Sequence, residues 1–86
     1  MKYQVEFYLH HKYDVGYGEY SEEEKLYKNE VEASTDRGAI MLATMAMNEL
    51  AEYKNKFGFD GRIVAKRLKK IMRIDHEEII TSIPLS

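Results

Sequence analysis

The side chains that could hold a metal or move a proton are few in this 86-residue chain, and their spacing argues against both. His10 and His11 adjoin, with Asp14 close by, but neighbours on a strand point to opposite faces. They cannot both reach one ion without a kink, and a site would need ligands from elsewhere, such as Asp75 and His76. Imidazole has an unperturbed pKa near neutrality, so the three histidines could serve acid–base chemistry, yet no nucleophile or pocket is indicated beside them. There is no cysteine, so neither a thiolate metal site nor a disulfide framework is available. The run Glu22-Glu23-Glu24 lacks the spaced oxygens of a hard-cation loop. Gly16, Gly18 and Gly38 form no phosphate-binding fingerprint. Gly38 at a helix start could bring a backbone N–H to an anion, with packing the plainer reason. The expectation is a protein without catalysis, metal or cofactor.

Tyrosine is the anomaly. Six of the seven lie within residues 3–27. Tyr13, Tyr17 and Tyr20 fall inside HHKYDVGYGEYSEEEK, which its glycines and charges mark as a long hairpin connection. Tyrosine with glycine and serine suits a loop that grips proteins, because the ring offers large amphipathic area at small entropic cost. The expected anchors are therefore Tyr13, Tyr17 and Tyr20, with Glu22, Glu23 and Glu24 steering a basic target. The alternative is that some rings fold back over the core. Met41 and Met45 sit beside the polar side of the helix described below and offer a second contact face, for a partner or a homodimer, unless they fill gaps at the core margin.

Charge is segregated along the chain. Residues 1–60 carry seven Lys/Arg against twelve Asp/Glu, and residues 61–86 carry six against three. All six of those positives, Arg62, Lys66, Arg67, Lys69, Lys70 and Arg73, lie in one segment, which makes nucleic-acid binding the second candidate function, aided by Tyr8. The alternative is a solvated face.

The elements that position these groups read as follows. Tyr3, Val5, Phe7 and Leu9 alternate with polar residues, which predicts a strand with one buried face. A second strand is expected at Leu26–Ala33, with Asn29 near an edge or hydrogen-bonded. Ser34 or Thr35 caps a helix with Asp36 in its first turn, and Gly58 ends it. Ala39, Ala43, Ala46, Leu50, Tyr53 and Phe57 form its expected core stripe. Arg62 to about Lys70 has apolar spacings compatible with helix, yet a bulged strand completes the sheet better, followed by a strand at Glu78–Ile83. The fold class is α+β, one domain over residues 1–86, with a small antiparallel sheet in ββαββ order and one main helix packed on one face.

The order of strand, VEAST, an Ala-Ile opening to the helix and then IVAKRLKKI resembles small uncharacterised α/β proteins of phages and other mobile elements, over residues 3–71. That resemblance implies a protein that binds a host factor and alters its activity. It carries over no functional residue, and the tyrosine-rich connection departs from the pattern. No apolar run is long enough to span a membrane. The amino terminus does not read as a signal peptide, and the lack of cysteine fits a cytoplasmic location.

Overall fold

The alternation at the amino terminus persists further than the sequence pattern suggests. The computed structural model, which describes residues 1–58, 61–75 and 78–81, forms β1 from Lys2–Gly16. This strand buries Tyr3, Val5, Phe7, Leu9 and His11 on one face. It is followed by β2 (Glu19–Glu32), α1 (Asp36–Phe57), β3 (Arg62–Arg73) and β4 (Glu78–Thr81). All pairings are antiparallel, in the order β2-β1-β3-β4. The helix covers the odd-numbered face of β1, and the even-numbered face is not covered by any described element. Ser82 and Ile83, expected in the last strand, lie outside the described residues.

The long connection expected between the first two strands is instead a continuous ladder, and β2 begins at Glu19 rather than Leu26. The register supplies the reason: Lys12 pairs with Glu22, His11 with Glu23 and His10 with Glu24. Three glutamates are poor strand formers alone, but this register brings Glu22 to His10 and Glu24 to Arg67 across the sheet, and cross-strand pairs of this kind favour the ladder. The ladder closes at Tyr17 and Gly18, whose φ angles of 55° and 76° are those of a type I′ turn, with Val15 bulged between Asp14 and Gly16. Fifteen strand residues at about 3.3 Å each span roughly 50 Å, which matches the 50 Å long axis of the molecule.

Thr35 is the N-cap of α1: its Oγ1 accepts from the Gly38 N–H at 3.0 Å. A Cβ at position 38 would lie 3.2 Å from that oxygen, so glycine there makes room for the cap. Gly58, at φ 68°, donates to Lys54 O and ends the helix. The buried set differs from the expected stripe. It is Ala39, Ala43, Met47 and Ala51, while Leu50 is partly buried and Tyr53 and Phe57 are exposed. A spacing of four throughout follows a single ridge inclined to the helix axis, as suits packing on a twisted sheet. Small residues along it allow the close approach that the alanines imply.

β3 resolves its own ambiguity through two bulges. Its core residues Ile63, Leu68 and Ile71 are separated by five and three positions, odd spacings that put side chains on opposite faces of a regular strand. The register against β1 slips once between Ala65 and Ile63 and once between Lys70 and Leu68. Each slip inserts one residue, Val64 or Lys69, and returns the apolar side chains to the helix side.

Candidate functional site

Beyond the helix no described element covers the hairpin. A 22-residue helix is about 33 Å long, so the roughly 50 Å ladder outruns it. Every residue from Asp14 to Glu24 is exposed. Where this finger leaves the body, Gly61 packs against it so closely that a Cβ would meet Lys12 O at 2.6 Å. His11 is fully buried at the base, its Nε2 2.9 Å from the Tyr27 hydroxyl and its ring stacked on Tyr13. His10 points to the opposite face, where its Nε2 is 3.3 Å from Glu22. The two histidines are thus divided by the sheet. His76 lies outside the described residues, and among the described residues no three His, Asp or Glu side chains converge.

The expected anchors are distributed along the finger instead of gathered in one loop patch. Tyr13 is half-buried on the helix-side face. Tyr20 is exposed on the other face, under the Lys12 ammonium at 4.4 Å from its ring centroid. Tyr17 is the apex. Its ring is fully exposed and its backbone is left-handed at φ 55°. Glu22 and Glu24 face the open side and Glu23 the helix side, as the register dictates. Met41 and Met45 are exposed on the outer side of α1.

The basic segment is spread over both faces of β3, and among the described residues four of its six cations meet carboxylates. Arg67 Nη2 is 3.1 Å from Glu24 Oε1, with its guanidinium 4.2 Å from the Tyr8 ring centroid. Lys69 and Lys70 reach the two oxygens of Glu6 at 3.6 and 3.3 Å. Glu6 is only 4% exposed. Burial pushes its carboxyl up, but the Lys70 hydrogen bond and the charges of Lys70, Lys69 and Lys28 outweigh it and leave the group below its ordinary value. Arg73 turns to the helix side, where its Nε donates to Asp36 Oδ1 at 3.0 Å. The Tyr3 hydroxyl donates to the same oxygen at 2.9 Å. These bonds, Arg73's first and Tyr3's second, hold the Asp36 carboxyl below its usual range, while burial and that carboxylate push the Tyr3 hydroxyl up. This triad ties the start of α1 to β1 and β3. Arg62 and Lys66 complete the segment, both exposed.

Sequence reasoning missed the pairing of HHK with EEE across the turn. The signal was present, since two triplets of opposite charge character flank Tyr17-Gly18 at nearly equal distance, separated from it by four residues on one side and three on the other. No protein-family profile matches the chain, and comparison with curated proteins and with solved structures finds no significant match. No described helix is long and apolar enough to cross a membrane.

Proposed function

We propose that this protein is a non-catalytic protein-binding module that engages its partner with the projecting β1–β2 finger, Tyr17 at its apex. The observation that carries this reading is the conformation of Tyr17. A type I′ turn favours Asn or Gly where Tyr17 stands, and a bulky residue at positive φ is strained. Strained residues with no role in the core cluster at functional positions. A fully exposed aromatic ring at the end of a projecting ladder is the kind of group that fills a pocket on another protein. Val15 and Tyr20 add exposed apolar area beside it, and Asp14, Glu19, Glu22 and Glu23 favour a basic target. The resemblance to small phage-encoded proteins supports a modulator or inhibitor of a host protein. Nucleic-acid binding ranks second, because Arg67, Lys69, Lys70 and Arg73 already face Glu24, Glu6 and Asp36.

The test is affinity capture from lysate of the cell in which the protein acts, with and without nuclease, followed by binding measurements on the recovered partner. Tyr17→Ala retains the left-handed backbone requirement and removes only the ring. It should weaken binding by about 2 kcal/mol, or roughly thirtyfold, with the fold intact by circular dichroism. Unchanged binding would place the interface elsewhere, with the Met41 and Met45 face next. Nuclease-sensitive capture would favour the basic segment.

A further inference from the structure

The finger has a second feature besides its tip. β2 is the last strand of the sheet, and among the described residues nothing pairs with its outer side over fourteen residues. The hydrogen-bonding parity of that edge follows from its end. Met1 and Ala33 exchange both backbone bonds, each at 3.0 Å, which makes them a hydrogen-bonded pair. Such pairs recur at every second residue of an antiparallel ladder. The odd-numbered residues of β2 therefore bond to β1, and the N–H and C=O groups of Tyr20, Glu22, Glu24, Leu26 and Lys28 point outward. The next outward donor, the N–H of Glu30, is taken by Asn29 Oδ1 at 2.9 Å. The open edge thus runs from Tyr20 to Lys28 and is closed at its far end by a side chain of the strand itself.

An exposed edge is a template for another strand, and proteins usually suppress it with charge. Here the charge is selective. β2 carries six glutamates against two lysines, so a second β2 laid along it meets like charges directly across, which destabilises the pairing. A basic strand meets opposite charges on both faces, because Glu22 and Glu24 project to the open side and Glu23 to the helix side. Glu22 and Glu24 already approach His10 and Arg67, but these are exposed pairs of small individual strength, and a carboxylate can be shared with a new cation. Leu26, exposed at 39%, supplies one apolar contact at the inner end of the run.

We propose that β2 binds an extended basic segment of the partner by strand addition along Tyr20–Lys28. Antiparallel pairing is the slightly more stable arrangement. In that direction the segment reads apolar residue, any residue, then three consecutive Lys or Arg, set opposite Leu26, Lys25 and Glu24-Glu23-Glu22. Backbone bonds provide the affinity and the alternating side chains the selectivity. This rests on the reading of the finger as a protein-binding element and names the chemistry of what it holds.

The probe is a capped ten-residue peptide carrying valine, threonine and then three lysines, added to the intact protein and followed by amide hydrogen exchange in NMR. Exchange at Tyr20, Glu22, Glu24, Leu26 and Lys28 should slow at least tenfold, with the odd-numbered amides between them unchanged. The same peptide N-methylated at alternate residues, in the parity that faces β2, should bind at least tenfold more weakly. The neutral triple variant E22Q/E23Q/E24Q, which introduces no like charges against His10, Lys12 or Arg67, should bind the lysine peptide at least tenfold more weakly. Equal binding of the methylated peptide would reduce the effect to diffuse charge attraction and overturn the proposal. Protection that grows with protein concentration in the absence of peptide would overturn it as well, by assigning the edge to a second copy. The apex does not contact this peptide, so Tyr17→Ala should leave peptide binding unchanged. Failure of the peptide beside Tyr17-dependent capture of a partner would remove the strand addition and leave the finger reading standing.

Discussion

One ladder joins two regions that differ in everything except their backbone pairing. From Tyr3 to His11, β1 is hydrogen-bonded on both sides, by β2 and β3, and buries its odd-numbered side chains beneath α1. From Asp14 to Tyr20 the strands pair only with each other among the described residues, and every residue is exposed. A two-stranded hairpin with no third element is marginal by itself, so the finger must inherit its order from the base. The base can be filled only by side chains that fit its core. The finger tolerates substitution, and residues there answer to contacts outside the molecule.

The largest effect should come from the base. Phe7 is 1% exposed, stacks on Tyr27 with ring centroids 5.7 Å apart and lies opposite Leu68. Phe7→Ala should destabilise the protein by about 3 to 5 kcal/mol, measured by chemical denaturation. Val15→Ala, at the exposed bulge in the finger, should stay within about 0.5 kcal/mol. Comparable losses at the two positions would mean that the finger contributes to the core, and the contrast would collapse.

The junction comes next. Gly61 sits at φ 74°, and a Cβ there would lie 2.6 Å from Lys12 O and 2.8 Å from Tyr13 Cδ1. Backbone atoms at such a distance cannot simply swing aside, and the left-handed conformation adds its own strain. Gly61→Ala should lower stability by about 1 to 3 kcal/mol. It should also raise hydrogen exchange in residues 13–21 more than in residues 3–9. A uniform rise, or none, would show that the finger is ordered without this seat.

The division also explains what could be read from the sequence. The first half of β1 and the helix limits at Thr35 and Gly58 were legible, because each depends on a local cause such as alternation, a cap or a left-handed glycine. The start of β3 at Arg62 was legible because a third strand is needed to complete the sheet. What escaped depends on partners far along the chain. The apparent loop became a strand because its glutamates find cross-strand partners, Glu22 with His10 and Glu24 with Arg67, across a turn. The helix buries Met47 and Ala51 in place of Ala46 and Leu50, because the line of contact follows the sheet and not the centre of the apolar stripe. In β3 the bulged strand is as expected, but its extension to Arg73 and the positions of its two bulges follow from the pairing with β1. Of the candidate site, the exposure of Tyr17, Tyr20 and the three glutamates was legible. Their separation onto two faces was not, because it needs the register.

At the apex the expected effect is small but the most telling, because it has the opposite sign. A residue with a Cβ in the left-handed region loses roughly 1 to 2 kcal/mol relative to the right-handed one, and Asn recovers part of that by local hydrogen bonding. Tyr17 is in that region at φ 55°, followed by Gly18 at φ 76°, so Tyr17→Asn would create the Asn-Gly pair that such turns prefer. It removes no buried surface, since the ring is fully exposed. The variant should therefore be more stable than the natural chain, by about 0.5 to 1 kcal/mol within that strain, read as a rise in melting temperature. At the same time it should lose the partner to the same degree as Tyr17→Ala. A gain in stability coupled to a loss of binding is the signature of a residue kept for its contact with another molecule. If Tyr17→Asn instead destabilises the hairpin, the ring supports the turn, and the apex answers to the fold as the base does.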